Sequence, residues 1–349
     1  RSRTIVMVRL PIVEVRQLVY SALRKHGLYE ESCAAIADNI AAAERDGSTS
    51  HGLHRLGGYC ASLRSGKVSK DAVPTVNTQG ARVFVDAHGG YAPAAWQAGR
   101  PALVAAARQH GVALMQVSRA FHFAAVWQDV EPLAAEDGLV ALAVVNSKAF
   151  VAPPGGTKAV FGTNPMAFAF PRGKDAEGNQ LPPIVFDQAA SVIARGDMEL
   201  HRQRGEPLPP GAAVGPDGKP TTDPAEGLAG AQLPFGNYKG GTIALMIELL
   251  AAGLTGNQFS FEAKATDNND GGPTEHGQVV IAIDPTFGRD STAMNRHVDG
   301  LVQAVTAAGG RLPGARRFKN RGESGGAVEI NDAVYERCLA LTKDPSAKL

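Results

Sequence analysis

The chain has 349 residues, of which 44% are apolar and 20% are charged, and its formal net charge at pH 7 is +1. This length and composition are ordinary for a folded globular protein and predict about two domains. A net charge this small excludes the strong basic field typical of nucleic-acid-binding proteins, so we expect no nucleic acid partner.

The cysteine pattern predicts a reducing compartment. The three cysteines, Cys33, Cys60 and Cys338, are far apart in the sequence and lack the spacing of a zinc site. They favour a cytoplasmic protein with neither a disulfide framework nor a metal site. The start of the chain lacks the long apolar region and cleavage site of a signal peptide. The most apolar run, 243–254, contains Glu248 and is too short to cross a bilayer, so we expect no membrane association.

Helical periodicity dominates the first part of the chain. Apolar residues recur at helical spacing over 14–44, with Gly27 as a helix end, and a further helix is predicted over 53–59. Beyond Pro74, short β-prone runs alternate with Gly/Pro turns around one alanine-rich helix over 94–110. The predicted strands are 83–85, 113–117, 140–145, 159–161, 166–170 and 184–186.

The rest of the chain contains loops, one strong strand and further helices. Segments 171–183 and 203–224 are rich in Gly, Pro and Asp and are predicted to be loops. The remaining predicted elements are a helix over 241–254, a strand over 279–283, and helices over 295–308 and 327–341. Helices at both chain ends around a β-rich centre favour an α+β fold with two domains, 1–76 plus 286–349 and 77–285.

The segment 46–59, DGSTSHGLHRLGGY, is the most informative part of the chain. It places one hydroxyl, two imidazoles and one guanidinium within six residues: Ser50, His51, His54 and Arg55. At the start of the predicted helix, His51 and Arg55 would share one helix face. A proton carrier beside a carboxylate-binding group suits acid/base chemistry on a small acidic substrate. The alternative is a capped helix with a solvated basic face.

Two later residues are further candidates for acid/base chemistry. Asp187 ends a predicted strand, where a carboxylate is well placed to orient a histidine; with Ser50 and His51 it would form a relay in which the serine need not be a nucleophile. Its alternative role is that of a turn former. His122 follows the strand 113–117 between two phenylalanines, which is typical of a pocket and equally of a half-buried core histidine.

Two segments suit a phosphate-bearing ligand. The run 233–241, LPFGNYKGG, opens a predicted helix with three glycines and Lys239, so free N–H groups and the helix dipole would form an anion site. Arg316 and Arg317, which follow the run 311–314, suit further phosphate oxygens. The alternatives are a glycine-rich helix start and a solvated basic loop.

A polar segment between predicted strands has the character of a ligand-binding loop. It begins with Asn146 and Ser147 and continues to the run 162–165, GTNP, which contains Thr163. A Rossmann dinucleotide fold has no support, because no GxGxxG motif follows a predicted strand.

Seven short motifs stand out along the chain: Ser50-His51-Gly52 with Arg55, 121–123 (FHF), 162–165 (GTNP), Asp187, 221–224 (TTDP), 235–240 (FGNYKG) and 311–314 (RLPG). Together they resemble the malate/L-lactate dehydrogenase family, which is unrelated to the Rossmann-fold enzymes of those names, and the resemblance covers nearly the whole chain. Segments 122–125, 147–150 and 230–234 are most similar to the branch of Δ1-piperideine-2-carboxylate/Δ1-pyrroline-2-carboxylate reductases. The chain departs from the usual pattern at Arg119-Ala120, at Asn237 and directly after Asp187.

The resemblance implies a homodimer with a mostly antiparallel central sheet. Domain 77–285 would bind NAD(P)H in a non-Rossmann manner, and domain 1–76 plus 286–349 would serve substrate binding and dimerisation. Ser50, His51 and Asp187 would form the proton relay, and Arg55 with His54 would bind the substrate. The implied cofactor-binding residues are His122, Phe123, Ala124, Asn146, Ser147, Thr163, Lys239, Gly240, Arg311, Pro313, Gly314, Arg316 and Arg317.

The predicted activity is the reduction of a cyclic imino acid with NADPH as the hydride donor. Δ1-Piperideine-2-carboxylate would give L-pipecolate and Δ1-pyrroline-2-carboxylate would give L-proline, by hydride transfer to C2 and protonation of the nitrogen. NADH is the second candidate cofactor, and Arg316 and Arg317 are candidate ligands for the 2′-phosphate of NADPH. The alternatives are an NAD-dependent 2-hydroxyacid dehydrogenase, a Ser/His/Asp hydrolase acylated at Ser50, and a dinucleotide sensor without turnover.

Overall fold

The two ends of the chain meet in a small antiparallel sheet. The computed structural model describes residues 6–175, 177–288 and 290–345. Strand β1 (Met7–Pro11) pairs with strand β12 (Ala327–Asn331), so that Met7 lies opposite Asn331. The predicted helix over 327–341 is therefore wrong in its first five residues, and helix α12 begins at Asp332.

Three helices follow β1 and lead to the predicted site. They are α1 (Ile12–Lys25), α2 (Glu30–Arg45) and α3 (Leu56–Ser65). Helix α1 ends before Gly27, as predicted, and that glycine has a φ of +84°. Two short 3-10 turns, Thr49–His51 and Leu53–Arg55, connect α2 to α3.

A seven-stranded sheet forms the centre of the molecule, in the order β2-β3-β4-β11-β5-β6-β7. Its strands are β2 (Thr75–Gln79), β3 (Arg82–Tyr91), β4 (Val112–Phe121), β5 (Val140–Val145), β6 (Met166–Phe170), β7 (Ile184–Gln188) and β11 (Glu275–Ile283). Strands β3 and β4 are parallel, because the 19-residue helix α4 (Ala92–His110) crosses between them, and the other neighbours are antiparallel. The prediction of an α+β fold with a mostly antiparallel central sheet is confirmed.

The remaining elements surround this sheet. A second, three-stranded sheet has the order β10-β8-β9, with β8 (Ala213–Val214), β9 (Pro220–Thr221) and β10 (Ala231–Gln232). Two of these strands lie in 203–224, which we predicted to be a loop, and the predicted strand 159–161 is reduced to a single bridge between Phe161 and Val151. The other helices are α5 (Trp127–Ala135), α6 (Arg195–Arg204), α7 (Pro224–Ala229), α8 (Tyr238–Glu248), α9 (Ser260–Thr266), α10 (Ser291–Ala307), α11 (Ala315–Glu323) and α12 (Asp332–Lys343).

Buried apolar residues form two large clusters. One joins the helices of both chain ends, with Val19, Ile36 and Tyr59 from the first part and Leu341 from α12. The other lies between the central sheet and helices α4 and α5. Each fully buried aliphatic side chain stabilises the fold by roughly 1.5–3 kcal/mol, so these two clusters position the turn between α2 and α3 against the sheet.

The division into two domains stays a prediction. In the part of the chain that the structure describes, no helix has both the length and the apolarity to cross a membrane.

We expect the contact between β11 and the helix behind it to depend on Gly277. Helix α8 continues as a π-helical turn (Leu249–Gly253), and a Cβ at Gly277 would overlap with the backbone oxygen of Ala251 in that turn. Because this neighbour is backbone, it has little room to move. Gly277→Ala should lower the free energy of unfolding by about 3 kcal/mol in urea denaturation. Gly300→Ala is the matched control, since no heavy atom lies within 4 Å of the added Cβ. It should leave stability unchanged or raise it slightly, and equal stability of both variants would contradict the packing argument.

Candidate active site

The turn between α2 and α3 brings three of the predicted residues together. Ser50 Oγ lies 3.2 Å from His51 Nδ1, and Arg55 Nε donates a hydrogen bond of 2.8 Å to the backbone oxygen of Ser50. The three residues are adjacent, as predicted, but the predicted helix face shared by His51 and Arg55 does not form. Gly52 separates two 3-10 turns with φ −88° and ψ −139°, which is not helical.

The buried carboxylate of Glu44 holds the backbone of this turn in place. Glu44 Oε1 accepts a hydrogen bond of 2.7 Å from the N–H of Leu53, and a Cβ at Gly52 would overlap with the same oxygen. Burial raises the pKa of Glu44 to about 7, while the hydrogen bond from Leu53 opposes this shift. The sequence did not indicate this role, since Glu44 is one of several charged residues near the end of a helix.

The Arg55 guanidinium is a candidate anion-binding group. It lies over the Phe123 ring at 4.3 Å from the ring centroid, and burial lowers its pKa. Among the described residues, no Asp or Glu oxygen lies within ion-pair distance of it. A partly buried cation without a carboxylate partner is costly, so binding of an anionic ligand at Arg55 would be favourable.

His51 is neutral in this environment. Burial lowers its pKa to about 3, and the neighbouring Arg55 and His122 act in the same direction. An anion bound at Arg55 would reduce this positive field. His54, the other predicted substrate ligand, has an exposed side chain in a cavity of about 440 Å³ that also contains Arg64 and Arg337. His51 and Arg55 are not among the residues that line that cavity, so His54 faces a different space from the Ser50–His51 pair.

Asp187 lies near the end of β7, as predicted, and contacts helix α5. Its Oδ2 accepts a hydrogen bond of 2.9 Å from the N–H of Trp127. Burial raises the pKa of Asp187 to about 6, Asp129 adds to this shift, and Arg317 and His122 oppose it. In the described ranges no hydrogen bond joins Asp187 to His51, so the complete relay stays a prediction.

His122 lies within the same buried polar region. Its Nε2 is 3.5 Å from Asp129 Oδ2, which also accepts a hydrogen bond of 2.6 Å from Gln278. Burial lowers the pKa of both His51 and His276, and His122 acts in the same direction on both to a smaller extent. Sequence reasoning missed Asp129, Gln278 and His276. The one available signal was Asp129, which follows the apolar run 123–127 after His122.

The predicted ligand loop is held by the buried Glu248. Its carboxylate accepts hydrogen bonds from the Asn164 side chain at 2.8 Å and from the Ser260 N–H at 3.0 Å. In the same region Ser147 Oγ lies 3.2 Å from Thr163 Oγ1, which brings two predicted cofactor residues together. Asn146 is fully buried, and its amide donates to the backbone oxygen of Gln258 at 2.9 Å and to Glu248 at 3.5 Å. Its Oδ1 has no partner among the described residues.

The predicted phosphate cradle at the start of α8 is wrong in one respect. The N–H groups of Lys239, Gly240 and Gly241 donate to the backbone oxygens of Gly236, Phe235 and Asn237, at 3.2, 2.9 and 3.1 Å. These amides are therefore not free to bind phosphate. The helix begins at Tyr238 rather than 241, and the side chain of Lys239 is exposed.

Two departures from the family pattern, Arg119 and Asn237, have positive φ values of 53° and 56°.

The segment 311–317 divides into an exposed and an inward-facing part. Arg311, Pro313 and Arg316 are exposed. Arg317 instead lies over the Trp127 ring at 5.0 Å, and its Nη2 donates to the backbone oxygen of Val185 at 3.2 Å. A shared role of Arg316 and Arg317 at one phosphate is therefore not supported, because the two side chains lie in different environments.

Two further predicted cofactor residues follow His122 in the chain. Ala124 is buried, and the ring of Phe123 lies against the guanidinium of Arg55.

We expect Glu44 to make stability depend on pH. Below about pH 4.5, its ordinary value, the carboxyl group is protonated in both states; between 4.5 and about 7 only the unfolded chain loses the proton. The folded state therefore loses relative stability as the pH rises through this window. Glu44→Gln cannot ionise and keeps an oxygen for Leu53, so its advantage over wild type should grow from pH 4.5 to 7, on the order of 3 kcal/mol at most.

Urea unfolding at pH 4.5, 6 and 8 measures this difference. Glu336→Gln, at an exposed position on α12, is the control and should differ from wild type equally at every pH. A Glu44→Gln variant whose advantage shrinks as the pH rises would contradict the assignment.

The chain is similar in sequence and in structure to known proteins. The chain is 43% identical over 339 residues to a Δ1-pyrroline-2-carboxylate/Δ1-piperideine-2-carboxylate reductase of Pseudomonas aeruginosa, covering 96% of this chain and 99% of that protein. It is 46% identical over 339 residues to a Δ1-pyrroline-2-carboxylate reductase of Ancylobacter novellus, covering 96% and 97%. The structure is similar to the crystal structure of Δ1-piperideine-2-carboxylate reductase from Pseudomonas syringae pvar. tomato. For that pair the TM-score is 0.89 and the identity 42%, covering 96% of this chain and 99% of that one.

The family model for malate/L-lactate dehydrogenase matches residues 10–338, which is nearly the whole chain. The relatives align over almost their full length, and the solved structure shares the fold. The chain belongs to the malate/L-lactate dehydrogenase family.

Proposed function

We propose that this protein is an NADPH-dependent oxidoreductase that reduces the C=N bond of cyclic imino acids, Δ1-piperideine-2-carboxylate and Δ1-pyrroline-2-carboxylate. One observation carries the proposal: the partly buried Arg55 has no carboxylate partner among the described residues and contacts Ser50, beside His51. This arrangement suits a substrate whose carboxylate is adjacent to the reacting double bond. The similarity to reductases of these two imino acids supports the choice of substrate.

The residues present suit a nicotinamide nucleotide. The Ser147–Thr163 hydroxyl pair and the unpartnered amide oxygen of Asn146 provide polar groups of the kind that bind a carboxamide or a ribose. The exposed side chains of Lys239 and Arg316 provide cations for phosphate groups. When bound, the reduced nicotinamide supplies the hydride. Preference for NADPH over NADH is part of the proposal, and Arg316 is its candidate 2′-phosphate ligand.

The chain's own residues would orient the substrate and handle the proton. Arg55 binds the carboxylate and so places C2 and the ring nitrogen beside the Ser50–His51 pair. Hydride addition to C2 moves the electron pair of the C=N bond to nitrogen, which takes a proton through His51. Asp187 would stabilise the charged form of the imidazole during this transfer. Burial is the main reason that the pKa of His51 is low, and a substrate carboxylate at Arg55 would offset the smaller contribution of that cation.

Absorbance of NADPH tests the proposal directly. Purified protein is mixed with each cyclic imino acid, and in parallel with pyruvate and oxaloacetate, using NADPH and NADH separately. Oxidation of NADPH with the imino acids, and little with the oxoacids, is the expected result. Turnover with oxoacids alone would overturn the substrate assignment and favour a 2-hydroxyacid dehydrogenase, since the family includes enzymes named for malate and lactate.

We expect Arg55 to contribute mainly to substrate recognition. Arg55→Ala should lower kcat/KM for the imino acid by about a hundredfold or more, because a charge-assisted bond to the carboxylate is lost. Arg55→Lys should lose less, since the positive charge remains without the planar geometry. Arg204→Ala, an exposed arginine at the end of α6, is the control. Equal kcat/KM values for all four proteins, wild type included, would rule out this role of Arg55.

The protein is further proposed to act as a homodimer in the cytoplasm. The dimer rests on the family resemblance, and a sedimentation mass of one chain would contradict it. The compartment rests on the cysteines, since all three are buried free thiols. Burial raises the pKa of each thiol to about 12, which disfavours the reactive thiolate.

A further inference from the structure

Helix α11 lies directly against the strand that carries Asp187. At the start of the helix, Gly314 has a φ of +82°, and a Cβ there would lie 2.8 Å from the backbone oxygen of Val185. The Arg317 guanidinium donates to that same oxygen at 3.2 Å. Val185 is fully buried and precedes Asp187 by two residues. The position of Arg317 is therefore fixed relative to β7.

Arg317 and Asp187 also share a neighbour on helix α5. The guanidinium lies over the Trp127 ring at 5.0 Å, and the N–H of Trp127 donates to Asp187 Oδ2 at 2.9 Å. The Nε of Arg317 is buried and has no hydrogen-bond partner among the described residues. These two contacts direct the guanidinium of Arg317 toward β7 and α5, on the side of the helix that faces the protein interior.

Several charged residues surround Asp187 and Arg317. Asp187 faces Arg317 on α11, Asp129 on α5 and His122 on the segment after β4. Arg317 in turn faces Asp187, Glu131 on α5, Asp46 after α2, and Arg321 on its own helix. Burial and Asp129 both disfavour the ionised form of Asp187; the hydrogen bond from the Trp127 N–H is the larger influence that favours it, and Arg317 is the permanent cation that adds to this.

We propose that Arg317 is a positioning residue for Asp187, which keeps this carboxylate ionised and oriented at neutral pH, and is not a ligand of the cofactor phosphate. The inference rests on the proposed function, in which Asp187 supports the imidazole that transfers the proton. Loss of the guanidinium would leave Asp187 beside Asp129 without this permanent positive charge. The carboxyl group would then hold its proton to higher pH, and the imidazole would lose its support.

The pH dependence of kcat/KM tests this role in Arg317→Gln and Arg317→Lys. In Arg317→Gln we expect the acidic limb to move up by about one pH unit, with activity recovering toward pH 9, and the ratio of kcat/KM for NADPH and NADH to stay unchanged. Arg317→Lys keeps the charge and should retain most of the wild-type profile. Lys319→Gln, which removes an exposed cation from the same helix, should leave the profile unchanged. A selective loss of NADPH activity without a shift of the limb would overturn the inference.

A second measurement does not depend on turnover. A double-mutant cycle of Arg317→Gln and Asp187→Asn, followed by urea unfolding, should show a favourable coupling at pH 8 that disappears at pH 4, where Asp187 is protonated. No coupling at either pH would overturn the inference. If wild type accepts oxoacids instead of imines, the proposed substrate fails, while the pH profile with the accepted substrate and the cycle still decide the role of Arg317.

Discussion

The buried carboxylate of Asp46 is the point on which the candidate site depends. It has no solvent exposure and accepts hydrogen bonds from Arg45 at 2.7 Å and from Arg321 Nε at 3.1 Å. Arg321 also pairs with Glu131 at 2.6 Å, so one guanidinium joins the end of α2, helix α5 and helix α11. Each of these three charged residues lies four residues along the chain from a residue of the candidate site. The pairs are Asp46 and Ser50, Glu131 and Trp127, and Arg321 and Arg317. Movement of this ion-pair network would therefore displace three parts of the site together.

This ion-pair network fixes the relative positions of α2, α5 and α11 more than it stabilises the folded state. Burying charged groups has a large desolvation cost that their mutual attraction only partly offsets, whereas removal of one partner leaves an uncompensated charge that costs about 3–5 kcal/mol. Glu248 illustrates the same logic at the predicted cofactor loop, where one buried carboxylate binds groups from separate segments. In both places a polar core replaces apolar packing where the backbone must hold functional side chains in one arrangement.

The sequence predicted the features that local chemistry determines. Periodicity located six of the seven strands of the central sheet but missed helices α5, α6, α7, α9 and α11. The Ser50–His51–Arg55 group is adjacent because those residues lie within one turn of chain. The sequence-based prediction failed where contacts with distant segments determine the backbone conformation. Residues 327–331 are extended because β1, some 320 residues earlier, pairs with them, and no helical pattern can show this. The glycines before α8 suggested free amides, but nearby backbone oxygens already accept those N–H groups. Arg316 and Arg317 looked equivalent, although helix α11 directs only Arg317 toward β7.

The electrostatics of the site couple substrate binding to proton transfer. The field that lowers the pKa of His51 comes in part from Arg55, and Arg55 is also the group that would bind the substrate carboxylate. A bound anion therefore both orients the double bond and makes the imidazolium less costly. A neutral imine or ketone would gain neither effect, even if it fitted the space. In the proposed reaction, selectivity for a carboxylate beside the reacting bond follows from this double use of one cation.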